Sequence, residues 1–365
     1  MSGPLAMLDV GAIINGVLLV MLVVLMCAIA RVRNLLTAIL LMGVYSLVMA
    51  VWLTVMDAAD VAFTEAVVGA GVSTVVLLGA ILLTRSETAA ISWKAMIAPG
   101  LAVLVVGGLL VFAAQDLPDF GDPASPANAY VGKLYLEMTG GDIGAANVVT
   151  AVLGSYRGFD TLGETTVIFA AGLGVALMLG FGERAMSDRE RGRMPVNVSA
   201  GEDHVVLRVM AKLLIPLIVL YAFYVQFHGD LGPGGGFQAG VIMAVAVILH
   251  ALVFGLDATM HAVRPGVARA IAALGVLVYA GVGIANIVHG GTFLNYDYLF
   301  PPGVEARLPD AAHHNWGQHF GIMAIEAGVL LTVAATMITV FYGFAGRSAE
   351  AVAVVGGDDT HGQNP

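Results

Sequence analysis

The chain has 365 residues, of which 59% are hydrophobic and only 12% charged, against roughly 25% charged in a typical soluble domain. Its apolar excess cannot be hidden from water, which excludes an ordinary globular enzyme and a disordered chain. Sixteen Lys and Arg against 26 Asp and Glu give a net charge of −10, which excludes a nucleic-acid binder. A single cysteine, Cys27, excludes an internal disulfide and a thiolate metal centre. What remains is an integral membrane protein.

A helix needs about 20 mostly apolar residues to cross the hydrocarbon layer. Nine stretches meet that length, at 11–30, 35–56, 61–83, 95–114, 160–181, 207–228, 236–256, 266–288 and 317–344. They are continuous, whereas barrel strands alternate over about ten residues. The expected fold is therefore an all-α integral membrane protein of about nine transmembrane helices. Ala28-Ile29-Ala30 resembles a signal-peptidase site, but residues 1–10 carry no Lys or Arg and do carry Asp9, so the first stretch reads as a retained helix.

Charge sets the expected orientation. Thirteen of the 16 Lys and Arg fall in or beside the connections after the first, third, fifth and seventh stretches and at the C-terminal end. Only Lys133, Arg157 and Arg307 fall on the other face. By the positive-inside rule the N-terminus is expected outside and the C-terminus in the cytoplasm. The long connections 115–159 and 289–316 then face outward, and 183–204 reads as a charged cytoplasmic linker between two modules.

Ionisable residues inside spans are costly and turn towards protein or water, so each is a functional candidate. Glu65 lies in Asp60-Val-Ala-Phe-Thr-Glu65-Ala-Val-Val-Gly-Ala-Gly, about one turn into the third stretch and followed by Gly69 and Gly71. It reads equally as a carboxylate reaching interfacial water and as a buried proton or cation carrier over which a neighbouring helix closes. Arg157, Asp160 and Glu164 share one helical stripe, which suits an interfacial ion pair better than an ion site. His319 and Glu326 are two turns apart and face the same way, a spacing that suits a proton relay. Glu326 also stands far enough into its stretch to be costly unless paired or protonated. His250 reads as a satisfied interior histidine. Lys212 precedes Pro216 by four residues, where proline frees a carbonyl, although a snorkelling lysine accounts for it as well.

Between the sixth and seventh stretches stands Phe227-His228-Gly229-Asp230-Leu231-Gly232-Pro233-Gly234-Gly235-Gly236-Phe237-Gln238-Ala239-Gly240. It has neither the Lys-Ser/Thr end of a phosphate loop nor a preceding strand, so nucleotide binding has no support. Its glycines allow a tight, re-entrant turn whose amides and carbonyls face inward.

Residues 205–344 with this turn closely resemble the B subunit of Mrp-type multisubunit sodium/proton antiporters. The family's turn usually reads Gly-His-Asn-X-Pro-Gly-Gly-Gly-Phe. Here His228 and Gly229 stand in reversed order and Asp230 follows, while Pro233, Gly234, Gly235, Gly236 and Phe237 match throughout. Residues 31–84, with the Asp60–Glu65 motif, resemble a three-helix segment of the family's large A-type subunit. Residues 95–181, with Arg157-Gly-Phe-Asp160-Thr-Leu-Gly-Glu164, resemble its next two-helix segment, related to a small subunit of membrane-bound hydrogenases. The resemblance implies a division into 1–94, 95–182, the linker 183–204, a four-helix domain 205–345 and a polar tail 346–365.

It further implies a fused accessory subunit of a sodium/proton antiporter in a bacterial inner membrane, without cofactor and with no metal beyond transient Na⁺. The implied partners are large A-type and D-type proton-pumping subunits, small C-, E-, F- and G-type subunits, and membrane lipids. Glu65 would serve cation or proton passage, with Asp60, Asp160, Glu164, Glu326, Lys212 and His319 along the path. Two rivals are a purely structural scaffold and a subunit of a redox-linked or inorganic-carbon uptake complex; no catalytic motif supports an enzyme. On the leading reading Glu65→Gln abolishes or sharply reduces Na⁺/H⁺ exchange in everted vesicles while the complex still assembles. Unchanged exchange would contradict it.

Overall fold

The computed structural model describes residues 10–81, 87–88, 92–119, 121–179, 205–301, 303–304, 308 and 315–346, and the backbone alone of 347–358. The expected linker 183–204 lies outside the described residues, and the expected tail is described only to Asp358. Nine helices among the described residues are long and apolar enough to cross a membrane: α1 (Val10–Arg31), α2 (Leu35–Val55), α3 (Ala59–Ile81), α4 (Trp93–Ala114), α5 (Gly158–Leu179), α6 (Val205–His228), α7 (Gly236–Phe254), α8 (Pro265–Val288) and α9 (Trp316–Asp358). These are the nine expected spans, displaced by a few residues at their ends, with α9 running on past its expected end.

Local chemistry sets the boundaries. Asn34 caps α2 by accepting the Thr37 N–H at 3.0 Å. Pro265 opens α8, where its missing N–H costs nothing. α3 is not uniform: α-helical turns at Ala59–Glu65 and Thr74–Ile81 flank a wider π-helical stretch, Ala66–Ser73. Such widened turns recur at functional sites. The connection between α4 and α5 folds into helical segments at 127–142 and 148–156.

Burial is unequal. The apolar windows of α9 and α7 are 67% and 56% buried, while that of α4 has no buried residue. The packed centre is therefore α7, α8 and α9 with α5 against them. In lipid an apolar side chain gains nothing by leaving its neighbours, so close approach depends on small residues. Gly275 of α8 packs onto α9, where an added Cβ would stand 2.7 Å from the Thr332 N. Gly240 of α7 meets α9 the same way, and a methyl group there would lie 2.9 Å from the Leu330 O. Thr332 Oγ1 donates to the Ala272 O at 3.1 Å and adds a hydrogen bond between α8 and α9.

Two buried tyrosines set the outer segment onto this centre. Tyr279 Oη of α8 donates to the Gly158 O at 2.7 Å, and Tyr296 Oη donates to the Gly154 O at 2.9 Å. Burial pushes the Tyr296 pKa above the ordinary tyrosine value, so its hydroxyl remains a donor at any physiological pH. Substitution Gly275→Val should destabilise the α8–α9 contact by about 1–3 kcal/mol, the usual cost of overpacking. Thermal melting of the detergent-solubilised complex, followed by size exclusion, checks it; an unchanged melting temperature contradicts the packing described.

Candidate functional site

The site is built on the glycine turn. After α6 ends, the N–H groups of Leu231 and Gly232 both fold back onto the His228 O at 2.9 Å, and the Gly235 N–H returns to the Val225 O at 3.1 Å. Gly235 has φ +108°, a conformation that favours glycine. The first amides of α7 have no partner within their own helix. Two amides here find carboxylates instead. The Gly234 N–H donates to Asp60 Oδ1 of α3 at 3.3 Å, and the Gly236 N–H donates to Glu326 Oε2 of α9. A Cβ on Gly235 would stand 2.9 Å from that same Glu326 oxygen, so the carboxylate uses the room the glycine leaves.

More polar groups gather around Asp60. Asn147 Nδ2 donates to Asp60 Oδ1 at 3.5 Å and to the carbonyls of Gly229 and Gly232 at 3.3 and 3.0 Å. Thr150 Oγ1, in a buried residue, donates to the Gly229 O at 2.6 Å. Gln238 Nε2 donates to Thr64 Oγ1 at 2.9 Å, which holds the start of α3 against the start of α7.

Beside these groups lies a cavity of about 350 Å³, whose lining includes Asp60, Glu164, Glu326, Thr64, Thr150 and Gln238. Three expected carboxylates, from α3, α5 and α9, therefore share one space. Phe237 and Gly234 of the expected turn line it too, with apolar walls from Leu153, Ile168 and Val329. Val61, Val149 and Glu164 are exposed, so the cavity opens between α3 and α5. Carboxylates facing one small cavity, most of whose wall is apolar, can each bind a proton or share a cation, because either neutralises the same negative charge.

The remaining expected residues are placed elsewhere. Glu65 Oε1 lies beside Gly69 and Ser46 Oγ of α2, each oxygen 2.5 Å from where a Gly69 Cβ would stand, so Glu65 turns to α2 and does not line the cavity. Gly69 leaves room for the carboxylate. Asp160 pairs with Arg157 at 2.5 Å in an exposed ion pair, and the expected stripe splits, with Glu164 alone on the cavity. The relay expected of His319 and Glu326 is corrected. His319 Nδ1 faces Asp230 Oδ2 at 3.0 Å, while Glu326 takes the Gly236 amide, so each holds a separate part of the turn. Lys212 is exposed on α6, some 16 residues or roughly 24 Å from the turn. His250 Nδ1 is hydrogen-bonded to Thr259 Oγ1 at 2.7 Å, the satisfied interior histidine expected.

The apolar part of α9 is 31 residues long, about 46 Å at 1.5 Å per residue, which exceeds a hydrocarbon layer of about 30 Å. α7, with 19 residues, spans about 28 Å.

This arrangement defines a polytopic helical membrane protein with a carboxylate cavity where three sections of the chain meet. Each section matches a known family. Residues 206–339 match a domain related to the MnhB subunit of Na⁺/H⁺ antiporters, 20–86 match the D-type subunit of MBH, and 101–187 match its E-type counterpart. The putative antiporter protein mnhB2 of Staphylococcus aureus (strain MRSA252) is 31% identical over 145 residues, covering 40% of this chain and 96% of that one. The chain belongs to this family of antiporter subunits.

A chain of Rhizobium meliloti (strain 1021) named as a probable A/B component of a K⁺/H⁺ antiporter is 27% identical over 223 residues, 57% of this chain and 21% of that one. The chain thus spans about a fifth of the length of that longer relative. Among solved structures, the Mrp complex from Dietzia sp. DQ12-45-1b matches 94% of this chain and 35% of its own, with TM-score 0.68 and 27% identity. An archaeal membrane-bound sulfane sulfur reductase covers 68% of this chain and 97% of its own, with TM-score 0.50 and 31% identity.

Thr150 and Asn147 carry no signal in the sequence alone, because polar residues are ordinary in a polar connection, whereas Gln238 stands in the glycine-turn motif. Replacing Thr150 by Val leaves the Gly229 carbonyl only the longer Asn147 hydrogen bond and should cost about 0.5–1.5 kcal/mol. Limited proteolysis of the 115–157 connection should then be faster in the variant; equal rates contradict the hydrogen bond's role.

Proposed function

We propose that the chain is an accessory subunit of a multisubunit monovalent cation/proton antiporter, in which the Asp60–Glu164–Glu326 cavity exchanges protons for the cation. One observation carries this reading. Asp60 lies in the segment like the D-type subunit of MBH, Glu164 in the segment like the E-type one and Glu326 in the MnhB-like segment, and the three side chains line one cavity. A scaffold has no need to bring a carboxylate from each section into a shared space where each charge raises the cost of its neighbours.

Chemically the cavity acts as an exchanger. Backbone amides of Gly234 and Gly236 donate to Asp60 and Glu326, and the positive end of the α7 dipole attracts negative charge to the same place. A monovalent cation or a proton neutralises the same negative charge, so one displaces the other as concentrations change. The proton motive force sets the direction through partner subunits of the A, C, D, E, F and G types. The charge bias of the connections supports an N-terminus outside and a C-terminus in the cytoplasm of a bacterial inner membrane, which puts the glycine turn on the outer side.

Glu164 gives the arrangement a partner. Its exposed carboxylate on a membrane-spanning helix is costly in lipid and reads as the point where a neighbouring protein closes the cavity. Glu65, facing α2, continues the row of carboxylates along α3. Asp160, paired with Arg157, acts only to hold the helix start.

Glu326→Gln and Asp60→Asn should each lower cation/proton exchange in everted vesicles by about 10-fold or more, the size expected when a group needed for proton transfer is lost. Asp160→Asn should stay within about twofold, as exposed pairs contribute little. Exchange at the wild-type rate in Glu326→Gln, in a complex shown to be assembled, overturns the proposal.

A further inference from the structure

One side-chain amide in this region has more acceptors than protons. Asn147 Nδ2 lies 3.5 Å from Asp60 Oδ1, 3.3 Å from the Gly229 O and 3.0 Å from the Gly232 O. An amide nitrogen carries two hydrogens, so it serves at most two of the three oxygens well; Asp60 Oδ1 also accepts the Gly234 N–H at 3.3 Å and the Gly229 O the Thr150 hydroxyl at 2.6 Å. The rest of the residue is fixed independently. Its Oδ1 accepts the Val149 N–H at 3.0 Å as a helix cap, and its backbone N–H donates to the Asp230 O at 3.2 Å. The amino group is thus held among three oxygens, one of them a carboxylate oxygen.

We propose that Asp60 Oδ1 and the carbonyl oxygens of Gly229 and Gly232 form a binding site for a monovalent alkali cation, and that the Asn147 amino group fills this site until a cation displaces it. The site deepens the exchange reading of the cavity and rests on it. Its chemistry fits a hard cation, which takes oxygen ligands only. Gly229 and Gly232 directly follow α6, so the negative end of that helix dipole points at the cluster. Unwound carbonyls after a helix, together with a carboxylate, are a common way to hold a cation in a membrane.

Charge selects a monovalent ion. Asp60 is the one formal charge among the three ligands, and a single positive charge neutralises it. An ion of Ca²⁺-like radius sits about 2.3–2.6 Å from its oxygens, so the three ligands need to close by roughly 1 Å or less from their present distances to the nitrogen. The amide carries only a partial positive charge, which makes it a weak occupant that a full charge outcompetes. Thr150 Oγ1 donates to the Gly229 O at 2.6 Å and keeps that carbonyl in position during the swap.

The test uses the assembled complex in everted vesicles, with NaCl and KCl as probes and choline chloride as the blank. Asn147→Ser removes the amino group but keeps a hydroxyl able to cap the helix. Its apparent KM for the exchanged cation should fall about fivefold, the equilibrium value of one net hydrogen bond. Adding Asp60→Asn should erase that gain. A KM that stays level or rises in Asn147→Ser overturns the site and makes Asn147 a brace.

A second measurement stands if the variant fails to assemble. NaCl or KCl should raise the melting temperature of the wild-type complex over choline chloride, and Asp60→Asn should remove the difference; stabilisation by neither salt overturns the site. The two readings fail separately. Lost exchange in Glu326→Gln with no fall in KM for Asn147→Ser rejects this cation site alone, whereas normal exchange in Glu326→Gln rejects the cavity itself.

Discussion

A helix that begins near the edge of the hydrocarbon layer presents peptide N–H groups that water does not reach freely, and each must find an acceptor. In this protein the Gly236 amide, at the start of α7, meets that demand with Glu326 of α9, and the Gly234 amide just before the helix does so with Asp60 of α3. The rest of the site follows from this pairing. The turn must be glycine-rich so that Glu326 can reach the backbone, and α9 must lie close enough to deliver it. Hence the small residues at the contacts between α7, α8 and α9 are part of the same arrangement as the carboxylates.

The outer connection completes the site from a third direction. Tyr279 and Tyr296 hold the Gly154–Gly158 stretch against the central helices. That contact positions Thr150 over the Gly229 carbonyl and leads into α5, where Glu164 reaches the cavity. His319 binds Asp230 on the far side of the turn. The turn is therefore gripped by segments 147–150 and 316–326 as well as by α3, and a change in charge at one carboxylate acts on backbone that all of them share.

Much of this was legible in the sequence. Span number follows from continuous apolar runs, and the carboxylates stand out because charge is rare inside such runs. Pro233 to Phe237 announces a turn with unusual backbone freedom. Other features come from pairings that spacing cannot encode. Asn147 contacts residues 82 and 85 positions away in the chain, and nothing local separates it from any other loop asparagine. His319 and Glu326 share a helical face, yet Asp230 captures one and the Gly236 amide the other. Likewise spacing does not say which way Glu65 turns, and Gly69 admits it towards Ser46 and α2.

The central claim is that protons and a monovalent cation compete for the carboxylates around the glycine turn. Infrared difference spectra of the purified complex, recorded as NaCl or KCl replaces choline chloride, read this competition at the groups themselves. The account predicts that the added cation removes a protonated-carboxyl band, and that Asp60→Asn or Glu326→Gln eliminates the change. A carboxyl region that is indifferent to both salts, in a complex that still exchanges ions, would contradict it.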